Sequence, residues 1–486
     1  MSSVRRSLAY SALDSNLALV LQIVSTVVIA RILTPAQAGV FAVAAVFASL
    51  ASTFRDFGVA EYLIQESRLD AQAIRAAFSV NLAVSWLMAL ALLGLAPLAA
   101  AFYDEPGVAA VMRVQALGFV LIPFGAVTMA WFRRELDFRP IFIANLCANL
   151  AALASSVGLA LRGHGYMSLA WASLVNVVVT VAMSVLLRPA GFPAWPGRRG
   201  IGRVLAFSKF ASGIYILGQI GKGAPEMIIG RTHGMAAVGI FSRGSGLVEI
   251  FNRLVLRAIL PVCLPYFSRS VRDAGTPRPG LLQAMTLITG IGWPFLACLA
   301  LGAYPAIRLM YGAQWMAAVP LAPILCLAGA IELAYFPAKE ALLSLGKAKE
   351  SNQLQLLTQA LRIAGLLLVL PFGLIGACWG LVAAAIGGSI YAHLSLHQHI
   401  GLRLPQVWGA TARSAIVSAV TASPWLAWLL LHPFDESNYI RAGSAGLVVS
   451  VAAWMIALRC TKHPLWWELK ASLASATAAT SRPPTR

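Results

Sequence analysis

Apolar stretches of about 20 residues recur along the whole chain, and no other feature restricts its fold so tightly. Each is long enough to cross a hydrocarbon core of roughly 30 Å as a helix. They lie near 10–31, 38–60, 78–101, 108–131, 140–161, 167–187, 207–230, 237–262, 281–303, 317–338, 353–371, 373–396, 410–431 and 440–459. Gly and Pro are scattered through these runs, which helices buried in a bundle tolerate. The chain has 486 residues, 59% hydrophobic and 11% charged, with a mean hydropathy of +0.77. A soluble protein of that length needs far more polar surface, so the bilayer acts as solvent. The expectation is an all-α polytopic membrane protein with about fourteen transmembrane helices, or about twelve if the C-terminal end is over-divided.

The formal net charge of +19 raises the question of nucleic acid, and the placement of the bases answers it. They cluster in alternate loops: Arg5/Arg6, Arg68/Arg75, Arg133/Arg134/Arg139, Arg198/Arg199/Arg203, Arg269/Arg272/Arg278, Lys347/Lys349 and the C-terminal tail. The loop "FYDEPG" at 102–107, on the other side, holds two acids and no base. That asymmetry follows the positive-inside rule and puts both termini in the cytoplasm. No nucleic-acid partner is implied. "MSSVRR" reads as a basic lead-in to a full-length helix and not as a cleavable signal peptide. The tail after Lys470 is small and polar and is expected to be disordered at its end. The six cysteines are mostly isolated in apolar runs without a CxxC pair, which suits small buried hydrophobes better than metal or redox chemistry.

The chain repeats itself. "IARILTPAQAGVF" at 29–41 is echoed by "IGRTHGMAAVGIF" at 229–241, an offset of 200 residues. "YDEPGVAAV" (103–111) and "YGAQWMAAV" (311–319) echo each other just before a span. The organisation expected is an N-lobe at 1–187, a basic cytoplasmic linker at 188–206, a C-lobe at 207–396, two additional helices at 397–459 and a cytoplasmic tail at 460–486. Both repeats start on the same side, so they are parallel, related by an axis along the membrane normal.

Polar residues gather on faces of particular helices. Ser208, Ser212, Tyr215, Gln219, Lys222 and Glu226 form one stripe at alternating spacings of 4 and 3. Arg243, Arg253 and Arg257 share a face of the next helix, with Glu249 four residues before Arg253. Asp14, Gln22 and Ser25 lie on helix 1, Ser49, Ser52, Arg55 and Asp56 on helix 2, and Gln355, Gln359 and Arg362 on helix 11. A charge at the centre of a membrane helix costs roughly 2.5–3.5 kcal/mol on insertion scales, so a set of them calls for a reason. One reading is local: Arg55–Asp56, Lys222–Glu226 and Glu249–Arg253 are structural pairs, or snorkel to an interface. The other is a shared lumen in which bases outnumber acids. Arg55, Lys222, Arg243, Arg253, Arg257 and Arg362 would then meet an anionic substrate, since the planar fork of Arg suits phosphate. Asp14, Gln22, Asp56, Gln219, Glu226 and Glu249 would line it or couple an ion. Motifs for nucleotide binding, zinc proteolysis or serine hydrolysis are absent, and no cofactor is expected. "HLSLHQH" (His393, His397, His399) reads as a solvated helix end in preference to a metal site.

With those features in place, "RILTPAQAGVFAVAAVFASLASTFRDFGVAEYLIQ" resembles the N-terminal signature of the bacterial polysaccharide flippases of the MOP superfamily. The likeness continues through "FSVNLAVSWLMALALLGLAPLAAAFYDEP", "RRELDFRPI", "EMIIGRTHGMAAVGIFSRGSGLVEIFNR" and "MYGAQWMAAVP" to "EALLSLGKAKES", and covers about residues 10–350. The resemblance implies an inner-membrane carrier of undecaprenyl-diphosphate-linked oligosaccharides for exopolysaccharide, capsule or O-antigen assembly. It implies a V-shaped MATE-like fold of two six-helix lobes, with polymerase and glycosyltransferases of the same pathway as candidate partners. The competing readings are a drug or cation antiporter of the same superfamily, which calls for a net acidic lumen, and a polytopic enzyme acting on the same lipid. The latter calls for a long extramembrane loop that the chain does not have.

Overall fold

The computed structural model describes residues 2–55, 58–66, 70–193, 195–208, 213–432 and 434–471. Among these every regular element is a helix, and the chain divides into two compact units, Met1–Ser242 and Arg243–Arg486. The first contains α1 (Ser2–Ile32), α2 (Pro35–Arg55), α3 (Val59–Gln65), α4 (Ala71–Tyr103), α5 (Pro106–Leu121), α6 (Pro123–Arg134), α7 (Phe138–Leu161), α8 (Tyr166–Leu186) and α9 (Ile201–Ser208). It also takes most of α10 (Gly213–Phe251), which runs on into the second unit. The second unit adds α11 (Arg257–Ala274), α12 (Arg278–Leu301), α13 (Ala303–Met310), α14 (Leu321–Ala334), α15 (Ala338–Ser344), α16 (Ala348–Val369), α17 (Gly373–Ile400), α18 (Leu404–Leu431) and α19 (Tyr439–Cys460).

Ten described segments are long and apolar enough to span a membrane, and the α5–α6 pair, bent by 55°, makes up to eleven. The bend sits where Pro123 has no N–H to give to the helical ladder. The expected fourteen are therefore not all matched by apolar character. The described parts of the segments near 207–230, 237–262 and 353–371 are helical, falling in α9, α10, α11, α16 and short turns between them, yet they lie outside that count. Each of them carries four or more charged or amide side chains, which lower its hydropathy.

In the first unit α1 packs along α7, α7 along α8, α4 along α5, and α5 touches both α2 and α8. Ala144 on α7 is fully buried in a cluster with Met129, Phe132 and Ile141, and Ala170 on α8 is fully buried as well. The basic segment 188–206 is fastened to this unit. The Gly197 N–H donates to the Arg75 carbonyl at 3.2 Å, and the Ser79 hydroxyl donates to the Gly197 carbonyl at 2.8 Å. Arg188 donates to the Phe124 carbonyl at 2.7 Å, and Val204 is buried with Val59, Leu63 and Ile74.

The two repeats turn the chain at equivalent places by different chemistry. Between α1 and α2 the Thr34 N–H donates to Gln37 Oε1 at 3.1 Å. In return the Gln37 N–H donates to the Thr34 hydroxyl at 3.3 Å, closing a capping box just ahead of Pro35. Two hundred residues on, Gly234 breaks α10 with φ 80° and ψ 174°, a conformation open to glycine alone. After each turn the chain crosses its counterpart. A Cβ on Gly39 would lie 1.8 Å from the Met235 carbonyl oxygen, and one on Gly239 would lie 2.0 Å from that of Pro35. Pro35 and Met235 are themselves repeat equivalents, so the contact is reciprocal, as across a local two-fold axis. Close packing continues down α2, where Val43 faces Gly230 and Val46 faces Gly223. This is why the first limb of α10 belongs to the first unit and the division falls at Ser242 and not at the 188–206 segment.

In the second unit α12 packs along α14 and α18, α14 and α16 along α17, and α18 along α19. The chain beyond α19 is ordered at its start: 464–471 is helical, and His463 and Leu465 are buried. The expected tail past 471 lies outside the described residues, as do Asp56 and Ser212 and the side chains of Ser208, Tyr215 and Arg257. Ser208 ends α9, a helix separate from the one carrying Gln219, Lys222 and Glu226.

Candidate substrate site

Each unit places its own share of the expected residues. In the first, Asp14 accepts a hydrogen bond from Asn145 Nδ2 at 2.9 Å, tying α1 to α7. Gln22 and Lys222 are exposed, and Glu226 is half-buried. Gln219 donates to the Ser49 hydroxyl, which extends the α2–α10 seam one turn past Gly223. Arg55 ends α2 with its guanidinium 5.7 Å from the centre of the Phe119 ring. It lines a small cavity of about 50 Å³ with Val59, Leu63, Asn81, Val127 and Ala130. Among the described lining residues the polar groups are the Arg55 guanidinium and the buried Asn81 amide.

The second unit sorts its bases by partner. Arg253 Nε meets Glu249 Oε1 at 3.3 Å, and Asn252 donates to the other oxygen of that carboxylate at 3.1 Å. Arg253 lies on a π-helical turn, Asn252–Leu256, that follows the Glu249 end of α10. Arg362 on α16 meets Glu332 on α14 at 3.3 Å. Arg243 is different. Its guanidinium carbon lies 4.9 Å from the Trp315 ring centre and 5.4 Å from that of Tyr311. Its Nε is buried without a hydrogen-bond acceptor, and no carboxylate reaches it among the described residues.

The structure thus brings Arg253 together with Glu249 and leaves Arg362 paired to an acid that sequence patterning does not single out. Glu332 is visible in the sequence as the sole acid of the apolar α14. Tyr311 and Trp315 are visible too, as the aromatic members of the second repeat echo, but nothing in the sequence ties them to Arg243. The histidines of α17 have local duties. His393 Nδ1 is 3.0 Å from the Tyr335 hydroxyl, and His397 Nδ1 is 2.9 Å from the Leu402 carbonyl. His399 lies 3.8 Å from Glu350. Among the described residues no group of His, Cys, Asp or Glu is placed to hold a metal ion.

Residues 28–320 match the family described as "Polysaccharide biosynthesis protein". The chain belongs to that family. Its relatives include the succinoglycan biosynthesis transport protein ExoT of Rhizobium meliloti (strain 1021), 28% identical over 68% of this chain and 67% of ExoT. The lipopolysaccharide biosynthesis protein WzxC of Escherichia coli (strain K12) is 21% identical over 95% of this chain and 94% of WzxC. Among solved structures the lipid II flippase MurJ, in an inward closed conformation, aligns with a TM-score of 0.69 at 14% identity, covering 93% of this chain and 99% of that one. An inward-facing multidrug resistance MATE transporter of the MOP superfamily aligns with a TM-score of 0.61 at 14% identity, over 79% and 94% of the two chains. At such identities these two establish the fold, a MATE-like, multi-pass, all-α bundle, and nothing more.

Proposed function

We propose that this family member moves lipid-linked oligosaccharide, carried on a polyprenyl diphosphate, across the bacterial inner membrane by alternating access. The succinoglycan and lipopolysaccharide relatives support a polysaccharide precursor as cargo. One observation carries the choice of an anionic substrate: the embedded bases are not all neutralised. Arg253 and Arg362 have carboxylates, whereas Arg243 has aromatic rings instead. A cation antiporter needs the opposite balance. In this reading Arg55, Lys222, Arg243, Arg253 and Arg257 face the diphosphate at some point of the cycle, with Arg362 released from Glu332. Asp14, Gln22, Asp56, Gln219, Glu226 and Glu249 line the path. Two six-helix lobes joined through 188–206 rock against each other, both termini are cytoplasmic, and the polymerase and glycosyltransferases of the pathway act before and after.

The test is export of lipid-linked sugar to the outer leaflet in cells lacking their own flippase, normalised to protein in the membrane. Wild-type protein should restore it. Loss of a charge-assisted contact costs about 1.5–3 kcal/mol, so Arg243→Ala should reduce export on the order of ten- to a hundred-fold. Arg243→Lys should recover part of it. Extrusion of cationic dyes by wild-type cells without any sugar export would overturn the proposal in favour of an antiporter.

A further inference from the structure

The two repeat echoes are built on one scaffold with different contents. In the first, Tyr103 is buried and packs edge-on against Phe47, ring centres 6.4 Å apart. Val43 and Tyr103 come together over Gly230, where a Cβ would meet them at 3.1 and 3.2 Å. In the second, the equivalent of Tyr103 is Tyr311, that of Gly107 is Trp315, and that of Val43 is Arg243. Tyr311 and Trp315 are almost wholly buried, and both rings close on the guanidinium. The first repeat shows that this scaffold stands with an aliphatic residue in the cage position. An arginine there is not needed for packing.

It is also costly. A guanidinium cannot shed its proton, and one taken out of water without a carboxylate is only partly compensated by ring faces. Its Nε finds no acceptor. Both ring centres lie within 5.4 Å of the guanidinium carbon, and the side chain as a whole is half-buried, so it is shielded by the rings without being sealed from an oxyanion.

We infer that Tyr311 and Trp315 are positioning residues, which hold Arg243 partly desolvated to take the diphosphate of the substrate, and that this half-site exists in the second repeat alone. The inference rests on the lipid-diphosphate reading above and locates it. Dehydration by the rings strengthens each N–H···O contact to phosphate, and stacking removes the rotamer freedom that binding would otherwise have to freeze. Binding should therefore depend on ring area at 315 as well as on charge at 243.

The experiment is equilibrium binding of polyprenyl diphosphate to the full-length protein in lipid nanodiscs, with inorganic pyrophosphate as a second probe and a thermal melt of each variant. Arg243→Val copies the first repeat. It should fold and melt like wild type yet lose polyprenyl diphosphate binding by about a hundred-fold. Trp315→Leu should weaken binding by about tenfold, and Trp315→Phe should restore most of it. If Trp315→Leu does not reach the membrane, Tyr311→Leu carries the same expectation. Competition by pyrophosphate in wild type but not in Arg243→Val would place the recognition on the diphosphate itself. The inference is overturned if Arg243→Val and the leucine variants bind as wild type does while the wild type binds well; the substrate reading then survives. Losses that appear only as lower melting temperatures, with unchanged affinity of the folded fraction, overturn it equally. A wild type that binds no polyprenyl diphosphate removes both.

Discussion

Arg243 is half-buried and His463 fully buried, and the second unit treats these two bases in opposite ways. Arg243 keeps its charge and is given rings. His463 is kept neutral. Its Nδ1 accepts from the Leu465 N–H at 3.2 Å, which leaves Nε2 to donate to the Ser414 hydroxyl at 3.1 Å. Ser414 in turn lies 2.9 Å from the Thr289 hydroxyl. Burial, reinforced by the nearby Arg413 charge, lowers the pKa of this imidazole from 6.5 to about 4. Because the folded value is the lower one, the unfolded chain takes up the proton first as the pH falls. The stabilisation is whole above pH 6.5 and drains away between there and about pH 4, at up to about 1.4 kcal/mol per pH unit. Melting curves of wild type taken from pH 7.5 down to 4.5 should fall through that window. Those of His463→Leu should start lower, by about 1–3 kcal/mol for the orphaned Ser414 and Leu465 groups, and should fall less. Parallel slopes in the two proteins would assign the pH dependence to another group.

At the scale of elements, the crossing of α2 with the second limb of α10 depends on two glycines that repeat each other. Adding one methyl at Gly39 or Gly239 drives a Cβ into a main-chain carbonyl that cannot swing aside. Gly39→Ala and Gly239→Ala should each cost about 1–3 kcal/mol or more, seen as lower abundance and melting temperature. Gly94→Ala and Gly158→Ala provide the contrast. Both lie inside helices with open space around them, so removing backbone freedom there should be neutral or stabilising by about 0.5–1 kcal/mol. Equal effects at all four sites would show that the crossing is not a close contact. The repeat pointed to Gly39 and Gly239 through their equivalent positions. It gave no sign that they meet, because reciprocity is a property of the folded pair and leaves no mark on either segment alone.

For the molecule as a whole, the prediction concerns sidedness. A reporter joined at Pro196 or Pro277 should lie in the cytoplasm, and one at Pro106 or Asp435 outside, since the basic loops hold the first pair and the acidic or base-poor loops the second. Protease protection or thiol labelling of each fusion reads this directly. An external Pro196 would invert the scheme, and with it the placing of both termini. The neighbourhood of Pro196 is docked on α4 through Gly197 and Ser79, so a short insertion there should disturb the first unit more than its loop-like composition suggests.

Length and hydropathy were enough to assign an all-α membrane bundle, because a lipid solvent leaves a chain of apolar runs so few ways to satisfy its backbone. The run of motifs from Arg31 to Ser351 pointed to its family, whereas the expected boundary at 188–206 does not coincide with the division of the fold at Ser242. Charge partnership was not legible. Glu249 and Arg253, four residues apart, offer a local pair as one of two readings, but Glu332 and Arg362 are brought together only by the packing of α14 and α16 on α17. The same holds for Tyr311 and Trp315 around Arg243, and for His463 beneath Gly290, Thr289 and Ser414. Hydropathy is a sum over a segment and survives any arrangement of its neighbours. Whether a buried charge is neutralised, caged or left for a ligand depends on which side chains a second helix places within a few ångströms, and that is decided by tertiary packing alone.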